Sequence, residues 1–65
     1  MVGQKIKSYL ADHGIKQSFL SEKTELPRPI LLSMLSGTRK IEIMEYVRIC
    51  RALNVDFMTF VADEE

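Results

Sequence analysis

The sequence predicts an all-α fold, a compact orthogonal bundle of five short helices forming one domain of residues 1–65. Apolar residues recur at helical spacing along the chain, and no segment shows the sustained two-residue alternation of a half-buried strand. Glycine or proline marks most of the connections between the helical segments. A chain of 65 residues is long enough for one small core, since about 60% of its unfolded surface can be buried on folding.

The first two helices are predicted over about residues 2–13 and 16–24. Gly14 is a typical stop after the first helix, and we expect the second helix to turn Phe19 and Leu20 inward. The apolar residues that place the first helix are Val2, Ile6, Tyr9 and Leu10.

Two prolines locate the third helix, which is predicted over about residues 28–36. Pro27 and Pro29 each disfavour helical backbone at the residue before them, so residues 24–27 form a turn. The helix therefore begins with Pro29 in its first turn, where the missing N–H costs nothing. Gly37 supplies a typical C-terminal stop.

The third helix has two faces of different chemistry. At about 100° per residue, its apolar residues fill one arc of about 140°, and we expect this arc to pack on the first, second and fourth helices. The apolar arc consists of Ile30, Leu31, Met34 and Leu35. The opposite arc, which is left for a ligand, consists of Arg28, Pro29, Leu32, Ser33 and Ser36.

The fourth helix is predicted from Ile43 to Leu53 and is broken at Asn54. Asp56 is a favourable N-cap for a fifth helix, in which apolar residues repeat at i, i+3 and i+4. We expect the acidic residues 63–65 to fray. The predicted inward residues of the fourth helix are Ile43, Tyr46, Val47, Cys50 and Leu53, and those of the fifth are Phe57, Phe60 and Val61.

Charge is divided unevenly along a chain whose formal net charge is zero. Residues 1–40 carry seven basic and three acidic side chains, a net charge of +4, and residues 41–65 carry two basic and six acidic ones, a net charge of −4. Such asymmetry is typical of nucleic-acid binding. An ordinary solvated surface with an acidic C-terminal tip explains it equally well.

Several function classes find no support in the sequence. Cys50 and His13 are the only cysteine and histidine, so the sequence predicts no disulfide, metal site or His-assisted nucleophile. Cys50 is interpreted as a small buried hydrophobe rather than a reactive thiol. The sequence also lacks a glycine-rich phosphate loop, an apolar run of about 20 residues and a signal-peptide pattern. We therefore expect a cytoplasmic protein that is no enzyme, with no cofactor, small-molecule substrate or membrane partner.

The segment of the second and third helices is typical of a DNA-binding helix-turn-helix. Residues 14–23, 37–40 and 47–56 carry a wider resemblance to the phage-repressor and Cro family. In that order, these segments are similar to the family's second helix, to its glycine-plus-basic loop, and to its fourth helix with the following turn. This resemblance covers nearly the whole chain and implies a lambda-repressor-like fold, a bacterial or phage origin, and double-stranded DNA as the partner. The family places core residues of the turn and third helix at the positions of Leu26, Leu31 and Met34.

The outward arc of the third helix supplies the candidates for base recognition. Arg28 is suited to bidentate pairing with guanine O6 and N7, or to a plain phosphate contact. Ser33 can bond several base edges, and either Leu32 or Pro29 can contact a thymine methyl group. The family commonly carries glutamine, asparagine or arginine at the positions of Pro29 and Ser33. Ser36 completes this arc.

Gln17 is the leading candidate for a phosphate contact. It lies at the start of the second helix, where free N–H groups and the helix dipole favour an anion, and the family uses the matching glutamine on the DNA backbone. Lys5 and Lys7 are expected to be solvated. The predicted DNA-binding set is completed by Lys16, Ser18, Thr38, Arg39 and Lys40, for several of which loop solvation is the alternative.

The sequence thus predicts a repressor-like transcriptional regulator that binds specific duplex DNA sites with its third helix in the major groove. We expect a homodimer that reads half-sites about 34 Å apart. Met44 and Met58 fall outside the main core arcs, so they form either a self-complementary patch with the fifth helix or peripheral core. The alternative function is a protein-interaction module on the same fold, such as an antirepressor. The pI near 6.6 favours this alternative, because DNA-binding domains are usually basic.

Overall fold

The computed structural model describes residues 2–61, which form four helices joined by short turns and contain no strand. The helices are α1 (Val2–Asp12), α2 (Gln17–Thr24), α3 (Arg28–Ser36) and α4 (Ile43–Leu53). Their bounds agree with the predicted ones to within one residue. α1 packs on α3, and α2 packs on both α3 and α4. None of these helices is long and apolar enough to cross a membrane.

The predicted fifth helix is wrong within the described residues, where consecutive turns follow α4 as far as Val61. The predicted cap does form, because Met58 N donates to Asp56 Oδ1 at 2.7 Å. An α-helix would next pair Val61 N–H with the carbonyl of Phe57. Instead, that carbonyl accepts the Tyr46 hydroxyl at 2.5 Å, and Val61 N–H donates to the Met58 carbonyl at 3.2 Å. The Phe57 carbonyl therefore makes a tertiary hydrogen bond in a segment whose backbone forms turns.

Phe60 still reaches the core from this turn segment. It is 3% exposed, and its ring stands edge-on to Tyr9 and Tyr46, with centroid separations of 5.5 and 6.5 Å. Phe57, predicted to point inward beside it, is exposed. The acidic residues 63–65, predicted to fray, lie outside the described residues.

The turn of the helix-turn-helix is held by two hydroxyl side chains, at the place where the prolines predicted it. Thr24 is buried, its hydroxyl donates to the Leu20 carbonyl at 2.7 Å, and it accepts the Leu26 N–H at 3.3 Å. Ser21 donates to the Leu26 carbonyl at 2.5 Å. Glu25 adopts the left-handed conformation, with φ 62°, and ends α2. The turn thereby sets the position of α3 against α2.

Left-handed residues also end the two later helices, as the sequence predicts. Gly37 has φ 87°, a conformation that glycine adopts without steric cost, and its N–H points to the carbonyls of the preceding turn. Asn54 has φ 57° and ends α4 in the same way. These caps provide N–H donors to carbonyls at the helix ends that would otherwise be unsatisfied.

The apolar arc of α3 packs inward as predicted, and Ile30 lies at its half-buried edge. Cys50 is fully buried, and this burial raises the pKa of its thiol, as expected for a small core residue. Burial likewise raises the pKa of Tyr46 to about 12, so its hydroxyl remains a donor to the Phe57 carbonyl. The buried core comprises Ile6, Leu10, Leu20, Leu26, Leu31, Met34, Leu35, Tyr46, Ile49, Cys50 and Phe60.

Besides Phe57, two predicted inward residues point to solvent. Phe19 is 42% exposed, because α2 packs through the side that carries Leu20, and Lys23 Nζ lies 5.8 Å from the Phe19 ring centroid. Ile43 is 71% exposed, since it is the first residue of α4 and stands at the end of the helix. Ile49, which the predicted face omitted, is fully buried.

Candidate nucleic-acid interface

The outward face of α3 lines a shallow groove of about 350 Å³, called the α3 groove below. α1 and α2 each contribute one polar side chain to it, and the loop after α3 contributes another. It brings together five residues of the predicted DNA-binding set, and no acidic side chain lines it. Its lining consists of Lys7, Gln17, Leu32, Ser33, Leu35, Ser36 and Thr38.

Leu32 supplies the apolar surface of the α3 groove. It is 46% exposed, whereas its neighbour Leu31 and the groove residue Leu35 are 1% exposed or less. The split of α3 into inward and outward arcs is therefore confirmed. Arg28 and Pro29 are exposed in the first turn of α3 and do not line the groove.

Three hydroxyl groups of the α3 groove are tied to the backbone of α3. Ser33 Oγ donates to the Pro29 carbonyl at 2.8 Å. Ser36 Oγ and Thr38 Oγ1 lie 3.1 and 3.2 Å from the Ser33 carbonyl, and 3.1 Å from each other. The same carbonyl accepts the backbone N–H groups of Thr38 and Arg39 at 3.0 and 3.1 Å. One carbonyl thus organises the helix end, the loop and two of the groove hydroxyls.

Arg39 turns from the loop towards α4. Its Nη2 lies 3.2 Å from Glu45 Oε2, and its buried Nη1 has no partner among the described residues. The other oxygen of Glu45 accepts the Glu42 N–H at 2.9 Å and completes a capping box at the start of α4. Arg39 therefore ties the loop to α4, while the neighbouring Lys40 is exposed.

The start of α2 presents its first N–H groups without a side-chain cap. Gln17 is the first residue of the helix and lines the α3 groove. Lys16 and Ser18 flank it and are exposed. A helix N-terminus with a neighbouring cation attracts an anion such as a DNA phosphate. The structure thus places these three residues together at the start of α2, where Gln17 borders the groove.

Lys7 is a groove residue that the sequence interpretation assigned to solvent. It lies one helical turn after Gly3, the point at which α1 approaches the backbone of α3. The four-residue spacing places both positions on one face of α1. The sequence signal for the position of Lys7 was a glycine inside a predicted helix, followed four residues later by a lysine.

A second groove of about 880 Å³, called the apolar groove below, lies on the other side of the Gly37–Lys40 loop. Exposed apolar side chains of α4 and the final turns line it, and it shares no lining residue with the α3 groove. Met44 is exposed nearby on α4. The principal side chains that line the apolar groove are Ile41, Ile43, Tyr46, Val47, Phe57, Met58 and Val61, with Arg39 and Lys40 at one side.

Among the described residues, no group of three or more histidine, cysteine or carboxylate side chains is placed to hold a metal ion. Comparison with protein families finds that a Cro/C1-type HTH DNA-binding domain model matches residues 5–64. Neither the curated proteins nor the solved structures yield a match to the chain.

Proposed function

The chain belongs to the Cro/C1-type helix-turn-helix DNA-binding domain family, and we propose that it is a repressor-like transcriptional regulator that binds specific sites in duplex DNA. Helices of this motif dock in a defined way, with the second helix of the pair in the major groove and the first across the backbone. For this chain, α3 is the recognition helix and α2 crosses the backbone.

The observation that carries this proposal is the convergence of α1, α2, α3 and the loop after α3 on the α3 groove. Gln17, Leu32 and Ser36 come from different turns of two helices, yet they share one surface without acidic groups. Such a surface can meet phosphates at its margin and base edges at its centre.

The charged residues around the α3 groove divide into three roles. Lys7, Lys16 and Lys40 are exposed cations that contact phosphate and position the domain. Arg28 stands at the N-terminal end of α3, the part of a recognition helix that reaches base edges. Arg39 acts chiefly through Glu45, holding the loop in place for its neighbours.

Duplex DNA binding by wild-type protein should weaken steeply between about 50 and 200 mM salt, because each phosphate contact releases counterions. Replacing Lys7, Lys16 and Lys40 by alanine together should reduce the slope of log affinity against log salt by up to about 3 units. Fluorescence anisotropy with a labelled mixed-sequence duplex measures both quantities.

The matched control replaces Lys23, Arg48 and Arg51 by alanine, which removes the same charge from exposed positions outside the α3 groove. This control should retain a slope close to that of wild type. Equal losses in the two triple variants would mean that net charge, rather than the groove, drives binding. A wild-type protein that binds no duplex even at the lowest salt would favour the alternative function, a protein-interaction module.

We further propose that the apolar groove binds a second copy of the chain. Exposed methionine, isoleucine and phenylalanine side chains there suit a self-complementary contact. Arg39 and Lys40 border it, and the sequence from Asp56 onward is acidic, so two copies offer opposite charges to each other. Because the α3 groove lies apart from this contact, a dimer can present two recognition helices to half-sites about 34 Å apart.

Sedimentation of wild-type protein, alone at high micromolar concentration and on duplex DNA, should show dimers. Ile43→Ser combined with Met58→Ser should shift the protein to monomer, since both side chains line the apolar groove. Phe19→Ser is the control, because Phe19 is an exposed apolar residue elsewhere on the surface. Wild-type protein that sediments only as monomer under both conditions would contradict the dimer.

A further inference from the structure

We propose that the α3 groove selects A·T base pairs, packing Leu32 on the thymine C5-methyl group and accepting the adenine N6 amino group at its hydroxyl oxygens. This inference rests on the proposed function and adds to it the chemical class of base that the groove prefers. It follows from two features of the described residues, the exposed leucine and the direction of the hydroxyl hydrogen bonds.

Leu32 is an apolar side chain held open to solvent in the middle of the recognition face. Leu35, the other apolar residue of the groove lining, is 1% exposed, so Leu32 provides the apolar contact surface. The thymine methyl is the apolar group that distinguishes base pairs in the major groove, since cytosine lacks it. Burial of this methyl against Leu32 therefore favours thymine.

The three hydroxyl groups of the α3 groove use their protons within the protein. Ser33 Oγ donates to the Pro29 carbonyl, and Ser36 Oγ donates to the Ser33 carbonyl. Thr38 Oγ1 has the Ser33 carbonyl and Ser36 Oγ as its partners, at 3.2 and 3.1 Å. A hydroxyl has one proton and two acceptor lone pairs, so these oxygens retain acceptor capacity for an external group.

Because these hydroxyls use their protons within the protein, they distinguish adenine from guanine. Guanine presents two acceptors in the major groove, O6 and N7, whereas adenine presents an amino donor beside its N7. Donating a hydroxyl proton to guanine would break an internal hydrogen bond at Ser33, Ser36 or Thr38. Accepting an adenine N6 proton leaves every internal hydrogen bond in place. Cytosine N4 offers a similar amino donor, so the hydroxyls disfavour guanine, and Leu32 separates thymine from cytosine through the methyl group.

The two polar side chains from other helices do not change this preference. Lys7 and Gln17 belong to α1 and α2, which face the DNA backbone in the docking proposed above. Leu32, Ser33 and Ser36 belong to the recognition helix itself, so these α3 residues set the base preference in the groove.

The experiment selects bound duplexes from a random-sequence library and then replaces thymines in the selected site by uracil, one at a time. Uracil lacks only the C5-methyl group. Wild-type affinity should fall about threefold to fourfold at each thymine that Leu32 contacts, the ratio expected for losing one buried methyl-sized group. For Leu32→Ala, thymine and uracil duplexes should bind almost equally.

Lys40→Ala is the matched control. It should weaken thymine and uracil duplexes by the same factor, because Lys40 contacts phosphate in the proposed docking. Leu32 is exposed, so Leu32→Ala should keep the wild-type melting midpoint, which separates a recognition effect from unfolding.

The outcomes separate this inference from the proposed function. Selection without A·T enrichment, or an equal uracil effect in wild type and Leu32→Ala, overturns the inference while salt-dependent DNA binding stands. Failure of wild-type protein to bind any duplex overturns both. A·T enrichment together with a uracil effect that depends on Leu32 supports both.

Discussion

Leu31→Ala is expected to cost about 2–5 kcal/mol of the free energy of unfolding, the range for truncating a fully buried leucine. Leu31 is 0% exposed in the core of a domain of 65 residues. A domain of this size has a total stability of about 3–10 kcal/mol. The variant should therefore lose a large share of its stability, and urea denaturation followed by circular dichroism measures the loss.

Leu32→Ala is the matched control for this truncation. It removes the same atoms from the adjacent position, but from an exposed side chain, so its cost should stay within about 0.5 kcal/mol. The comparison tests the face assignment of α3 directly. A near-neutral Leu31→Ala, or a larger loss from Leu32→Ala, would mean that the recognition face and the core face are exchanged.

Gly3→Ala is expected to destabilise the protein, although alanine normally favours a helix over glycine by about 1 kcal/mol. A Cβ at Gly3 would collide with the Met34 carbonyl oxygen and stand 3.4 Å from Leu35 Cα. Backbone atoms cannot swing away as a flexible side chain can, so α1 and α3 must separate. Overpacking of this kind costs about 1–3 kcal/mol or more, and thermal and urea denaturation measure it.

Ser8→Ala is the control for Gly3→Ala, since it places alanine at an exposed position of α1 and should be neutral or slightly stabilising. Gly3→Ala should also reduce the salt dependence of DNA binding, because Lys7 lies one turn further along the displaced helix. A Gly3→Ala protein as stable as wild type would show that α1 and α3 do not meet at this glycine.

Much of the fold could be predicted from local signals. The prolines predicted the turn before α3, and Gly37 and Asn54 predicted the ends of α3 and α4. These predictions succeeded because proline restricts the backbone where it stands, and because glycine and asparagine adopt the left-handed conformation of a helix end readily. The fifth helix failed because its local pattern does not include tertiary contacts, such as the Tyr46 hydroxyl bond to the Phe57 carbonyl and the burial of Phe60.

The candidate site could likewise be predicted in part from local signals. The outward position of Leu32, Ser33 and Ser36 follows from helical periodicity alone, and the structure gathers them in one groove. Neither the inward turn of Arg39 to Glu45 nor the entry of Lys7 into the groove follows from spacing within one element. Both depend on how separate elements pack together.

The sequence by itself determined the helix-turn-helix, the two faces of α3 and the family, because periodicity, caps and turn residues act within a few positions of the chain. Only the tertiary structure decided that α1 approaches α3 at Gly3, that Glu45 holds Arg39, and that the described residues after α4 form turns. Each of these depends on an atom from a distant or separate element, such as a carbonyl, a carboxylate or a phenol, whose position is set by packing and not by local propensity.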